Sequence, residues 1–245
     1  MGGYYDGKII VINTENISDE NSLTEISPFG DESPITTLNI DKYENYLFIG
    51  NSLGNIRIMQ IDNKNPKEWK MKYLINEQLK CISSIDCNNE LNIWASLSID
   101  GYINIYTLPL CKLIKSFKVS LDNICNYIYI CDFPLPSFLI IYEKDIYLYS
   151  INGFKIYNKK ENEIIINPIV FKDFFGKDFL AYILNYKEIF IRNISDFSIQ
   201  VRITGENEIN YLCPGVDMKI LYAFNKNGTQ VDVFLCDTKK ITEEN

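Results

Sequence analysis

The sequence predicts an all-β chain of repeated four-stranded antiparallel units, and two observations carry that prediction. A tight turn followed by a strand of alternating apolar residues recurs at Asp6-Gly7-Lys8-Ile9-Ile10-Val11-Ile12, Leu53-Gly54-Asn55-Ile56-Arg57-Ile58-Met59 and Asp100-Gly101-Tyr102-Ile103-Asn104-Ile105-Tyr106. Fainter copies follow at residues 144–149, 187–192 and 227–234. The copies are also evenly spaced: 47 residues separate Gly7 from Gly54 and Gly54 from Gly101. Later steps run about 41 to 44 residues, and a period near this with about four strands per unit is that of a β-propeller blade. Composition points the same way, since Ala95, Ala181 and Ala223 are the only alanines while Ile, Tyr, Phe and Asn abound. An A+T-rich coding sequence imposes the same bias, so the periodicity decides the matter.

In chain order, a partial blade at 4–30 holds a third strand at 8–12 and an outer strand near 23–26. Blade 31–76 has an inner strand at 35–40, a polar turn at 41–45, a second strand at 46–50, the Gly54 turn with its third strand, and an outer strand at 72–75. Blade 77–122 repeats the plan with 81–86, the turn Asn88-Asn89-Glu90, 93–97, the Gly101 turn and 112–117. Blade 123–160 places strands at 127–131, 137–142 and 154–157. Blade 161–204 places them at 169–174, 179–184 and 197–202, with Phe175-Gly176-Lys177 as a turn. A closing partial blade at 205–236 has strands at 209–213 and 220–224, and a polar tail fills 237–245. Two-residue hairpins need positive φ at their centres, which explains the glycines. Where Lys144-Asp145 and Tyr186-Lys187 replace them, a longer turn or another turn type is expected. The whole reads as one β-propeller domain over 1–245, with about five to six blades. Because it opens and closes inside a blade, the ring reads as incomplete, with blades missing upstream; the alternative is a small five-bladed ring closed by the two partial blades.

Composition excludes much chemistry. The chain has no histidine, so catalytic triads and histidine-ligated metals are ruled out. Its 32 acidic against 24 basic residues give a net charge of −8, the wrong sign for a nucleic-acid partner. Seven cysteines form no CxxC pair, and the odd number fits free thiols acting as small core hydrophobes in a reducing compartment. The first residues, Met1-Gly2-Gly3-Tyr4-Tyr5-Asp6, read neither as a signal peptide nor as a myristoylation site, and no apolar run approaches the length of a membrane span. Phosphate-binding glycine signatures are absent. The carboxylate pairs Asp31-Glu32 and Glu206/Glu208 fall in solvated turns, and Asp100 reads as a turn former. Sequons at Asn16, Asn193 and Asn227 carry no information in so asparagine-rich a chain.

The Asp-Gly turn with its alternating third strand, clearest at residues 100–106, resembles the WD-repeat superfamily. The chain departs from that pattern where the superfamily carries Trp-Asp. The Trp position holds Ile12, Met59, Tyr106, Tyr149, Arg192 and Phe234, no Asp follows, and without histidine the Gly-His dipeptide and its buried tetrad are impossible. A narrower resemblance, over about 34–234, is to the C-terminal propeller of BEACH-domain proteins. It rests on Asp100-Gly101-Tyr102-Ile103-Asn104-Ile105-Tyr106-Thr107-Leu108-Pro109, Lys112-Leu113-Ile114-Lys115-Ser116, Pro134-Leu135-Pro136-Ser137-Phe138 and Tyr149-Ser150-Ile151-Asn152-Gly153. That resemblance implies a part of a large cytosolic protein acting in vesicle trafficking or membrane remodelling.

The expected function is therefore a non-catalytic protein-interaction scaffold without cofactors. It is expected to be cytoplasmic or peripheral to endomembranes, and to reach membranes only through other domains or partners. Its binding surface is expected along the tight-turn rim, at Asn51, Ser52, Asp100, Lys144, Asp145, Tyr186, Lys187, Asn225 and Asn227, where loops vary on a rigid base. Trp69, in the lysine-rich segment 64–72, is a second candidate, set against the simpler expectation that it packs on its own blade. Two alternatives remain open: an enzymatic propeller of glycoside hydrolase type using channel carboxylates, and a subunit of a coat or ribonucleoprotein assembly.

Overall fold

The computed structural model of the chain describes residues 2–3, 5–12, 23–62, 65–119, 126–132, 135–172, 176–205, 207–215, 220–225 and 231–235. They form an all-β structure of consecutive antiparallel meanders. A three-stranded sheet comes first, made of β1 (Gly2–Gly3), β2 (Ile9–Ile12) and β3 (Leu23–Ile26). Four four-stranded sheets follow, each paired in chain order. They are β4 (Ile35–Ile40) to β7 (Lys70–Ile75) with β5 (Tyr46–Asn51) and β6 (Ile56–Gln60) between, and β8 (Ile82–Asn88), β9 (Ile93–Ser98), β10 (Tyr102–Thr107) and β11 (Leu113–Lys118). Next come β12 (Tyr127–Cys131), β13 (Ser137–Tyr142), β14 (Asp145–Ser150) and β15 (Lys155–Lys160), then β16 (Ile166–Lys172), β17 (Asp178–Leu184), β18 (Glu188–Asn193) and β19 (Ile199–Thr204). A three-stranded sheet of β20 (Tyr211–Pro214), β21 (Ile220–Phe224) and β22 (Val231–Leu235) ends the series. Among the described residues the helical structure is one 3-10 turn at Pro66–Glu68, and no helix is long and apolar enough to cross a membrane. The expected tail at 237–245 lies outside the described residues.

Burial follows position in the meander. The second strands β9, β13 and β17 are buried at every residue, whereas the outer strands β7 and β15 are almost wholly exposed. This accounts for the sequence pattern: continuous apolar runs such as Phe138-Leu139-Ile140-Ile141 occupy strands covered on both faces, and mixed polarity marks edges open to water.

The chain divides into two compact units, one of Met1–Asp132, Ser137–Ile140 and Tyr149–Phe154, the other of Phe133–Pro136, Ile141–Leu148 and Lys155–Asn245. In the first, the leading strands of successive sheets lie beside one another, β1 against β4, β4 against β8 and β8 against β12. Its core joins Phe48, Ile56, Ile58, Ile82, Ile85, Trp94 and Tyr106, with Trp94 stacked on Tyr106 at 4.1 Å between centroids. Each such side chain taken from water stabilises the fold by about 1.5–3 kcal/mol. The leading strands are also stitched by polar bonds: Thr36 Oγ1 donates to the Ile82 carbonyl at 2.5 Å, and Asp86 accepts from the Ile130 N–H at 2.7 Å and from Asn39 Nδ2 at 3.3 Å. In the second unit β16 lies beside β20, joined by the Leu212 N–H donating to Asn167 Oδ1 at 2.6 Å.

The turn chemistry differs from the expectation. Gly54 and Gly101 are not central residues of two-residue hairpins. In each case the glycine N–H bonds back three residues, to the carbonyls of Asn51 and Ser98, and the glycine then takes φ of +90° and +83° as the bulge residue of a three-residue loop. The leading residue braces the loop with its side chain: Asn51 Oδ1 accepts from the Asn55 N–H at 2.8 Å, and Ser98 Oγ from the Tyr102 N–H at 3.2 Å. Ser150, Gly153 and Phe154 repeat the device between β14 and β15. Of the glycine-free turns, that at Glu143-Lys144 leaves two residues between β13 and β14, whereas Asn185-Tyr186 lies in a three-residue loop in which Leu184 pairs with Glu188. Asn185 and Tyr186 both have positive φ, 52° and 56°, and the Lys187 N–H bonds to the Leu184 carbonyl.

Candidate functional site

The tight turns expected to form a binding rim are themselves crossed by backbone. After each outer strand the chain returns over the turn of the sheet it has just left. In the first unit Val119 N–H donates to the Gly101 carbonyl at 2.9 Å. In the second, Glu161 and Ile165 N–H donate to the carbonyls of Lys144 and Glu143, each at 2.7 Å, and Gly205 and Ile209 N–H donate to those of Lys187 and Tyr186 at 2.8 and 2.6 Å. These crossings occupy the carbonyls of Gly101, Glu143, Lys144, Tyr186 and Lys187 within the chain.

The side chains of the expected rim differ in what they offer. Asn51 is fully buried, donates through Nδ2 to Ser33 Oγ at 2.8 Å and uses its oxygen within the turn. Ser52 is half-buried, with its N–H on the Pro34 carbonyl. Lys144 donates from Nζ to the Asn162 carbonyl at 2.7 Å, and Asp145 begins β14 half-buried. Tyr186 and Lys187 are exposed, and Asn225 is half-buried at the end of β21. Asn227 lies outside the described residues. Trp69 packs against the cluster of Ile9, Leu47, Ile49 and Met59 and donates from Nε1 to the Asp62 carbonyl at 2.8 Å, the simpler of its two expected roles.

Asp100 borders a pocket of about 380 Å³ between β10, β11 and the connection at Glu77–Leu79. Asp100 accepts from Ser98 Oγ at 2.5 Å, and Glu77 accepts from the Tyr106 hydroxyl at 2.9 Å. Burial is the main cause that pushes the Tyr106 phenol well above its ordinary range; Asn104 opposes this and Glu77 adds to it. Nothing in the sequence marked Glu77 or Gln78, because the connection comes to β10 only through the fold. No protein-family model and no curated protein sequence matches the chain.

The carboxylates near the leading strands are each occupied by local donors. Asp41 is buried and accepts from the N–H groups of Asn45 and Tyr46 at 2.7 and 2.6 Å, which turns the chain from β4 into β5. Asp86 bridges neighbouring sheets as described, and Asp31 accepts from Ser33 N–H and Oγ, bonds that hold its carboxyl below the ordinary range. Among the described residues no group of three or more Cys, Asp or Glu is arranged to hold a metal ion.

Proposed function

We propose that the chain is a divergent WD-repeat-like β-propeller that serves as a non-catalytic protein-interaction scaffold, within a BEACH-like protein of vesicle trafficking or membrane remodelling. The observation that supports this reading best is the run of consecutive four-stranded meanders, with leading strands side by side in the first unit and outer strands exposed. Such a base is stiff, so side chains on its turns are held in place for recognition without being required by the core. Partners are other proteins; the acidic charge works against nucleic acid, and contact with endomembranes runs through partners or further domains. The phrases at 100–109 and 149–153 support the trafficking assignment.

The test is affinity capture from cytosolic extract with the intact chain and with a Tyr186→Ala/Lys187→Glu variant, beside an assay of both proteins on chromogenic glycosides. The reading predicts specific protein partners that the variant loses, and no turnover. Turnover that Asp86→Asn abolishes would instead establish the carboxylate-enzyme alternative.

A further inference from the structure

Gln78 is 6% exposed, in the wall of the pocket beside Asp100. Its Nε2 donates to the Tyr102 carbonyl at 3.1 Å. Only the amide nitrogen can face a carbonyl, so the orientation of the group is fixed and Oε1 is left as a buried acceptor with no donor. The pocket around it is built for a donor that carries positive charge. Glu77 and Asp100 bring two carboxylates from different segments, the connection and the turn, and each already accepts from a neutral hydroxyl, so neither charge is neutralised by that bond. Leu79 is 91% exposed, and Leu113 and Tyr102 are also open to solvent, which gives an apolar seat for a side-chain stem. The Tyr102 ring already attracts a cation, since Lys118 Nζ lies 5.4 Å from its centroid.

We propose that this pocket seats an arginine side chain of a partner protein. Acceptors spread over an amide oxygen and two carboxylates match the five donors of a planar guanidinium better than the compact charge of an ammonium. The volume of about 380 Å³ lies in the range of sites that enclose small ligands. The stem lies along Leu79 and Leu113, and the guanidinium meets Gln78 Oε1 and the carboxylates. The proposal rests on the interaction-scaffold reading and deepens it by naming the group recognised.

The probe is the blocked peptide acetyl-Gly-Arg-Gly-amide, titrated into the isotopically labelled intact chain and followed by nuclear magnetic resonance, with the citrulline peptide as an isosteric uncharged control. Saturable shifts are expected at the amides of residues 98–104 and at the Gln78 side-chain amide, with citrulline about tenfold weaker or worse. Asp100→Asn keeps an acceptor for Ser98 but removes the charge, so it retains the wild-type thermal transition and weakens arginine binding by about tenfold. Absence of saturable shifts, equal binding of citrulline, or unchanged binding by Asp100→Asn overturns the proposal. Any of these with partner capture by the intact chain retained removes the pocket alone, whereas absence of capture by the intact chain removes the scaffold reading.

Discussion

At the residue scale, two glutamates do parallel work that no motif announces. Glu77 stands five residues before β8 and Glu161 five before β16, and each reaches a third-strand side chain. Glu77 meets Tyr106, and Glu161 meets Arg192 at 2.8 Å and the Tyr182 hydroxyl at 2.8 Å. Arg192 also donates to the Tyr182 hydroxyl at 2.6 Å and the Phe197 carbonyl at 2.8 Å, so each of its three guanidinium nitrogens has an acceptor. Burial opposes the charge on Arg192, and the Tyr182 hydroxyl and Glu161 more than offset it. Removing one partner of a buried pair leaves the other uncompensated, so Glu161→Ala is expected to cost about 3 kcal/mol or more in urea denaturation. By contrast, Lys42→Ala breaks an exposed pair with Glu90 and is expected to cost about 1 kcal/mol at most. Tyr106 and Tyr182 add a pH dependence, because burial raises both phenols above the ordinary value of 10.0. Between the unfolded and folded values the unfolded chain has lost protons that the folded chain keeps, so stability is complete below pH 10 and falls above it. Thermal midpoints should decline from about pH 10 upward, and less steeply in Tyr106→Phe and Tyr182→Phe.

At the element scale, the strands were legible and the connections were not. Period-two alternation placed the third strands almost to the residue, and β4, β12, β13 and β21 begin and end where the sequence placed them. β7, β8, β11, β15, β19 and β20 differ from their expected bounds by one to three residues, and the miss at β16, which begins at Ile166 and not at 169, has a local cause. Asn167 takes φ of +44° before Pro168 and breaks the register, while its side chain reaches β20. The glycines were legible as turn residues, but their second constraint was not. A Cβ on Gly54 would press on the Gln78 carbonyl and lie 2.8 Å from that of Lys80, a close approach made only when the connection crosses the turn. Gly54→Ala therefore combines backbone strain with a clash and should cost more than about 2 kcal/mol. Gly176→Ala has positive φ but open space around it, and should cost about 1 kcal/mol, the strain alone. Equal losses in chemical denaturation would show that crossing connections do not bear on these turns. The same crossings explain why the candidate site was half legible: Asp100 could be named from its place before Gly101, whereas Glu77, Gln78 and Leu79 come to it from more than twenty residues away.

At the scale of the whole molecule, repetition is the property that both sequence and structure express. Six copies of a turn and strand become consecutive antiparallel sheets, and the four-stranded ones bury their second strands and leave their last strands exposed or half-buried. Polar stitches recur at the repeat distance, as between Asn39 and Asp86, Lys42 and Asn89, and Asn167 and Leu212. Neighbouring sheets are thus held by apolar packing and by asparagine or aspartate bonds that recur with the repeat. An experimental structure of the intact chain in solution, by electron cryomicroscopy with a rigid binder added for size, tests the account most directly. It predicts β4, β8 and β12 side by side as the leading strands of successive sheets in the first unit; two sheets packed face to face as a sandwich would contradict it.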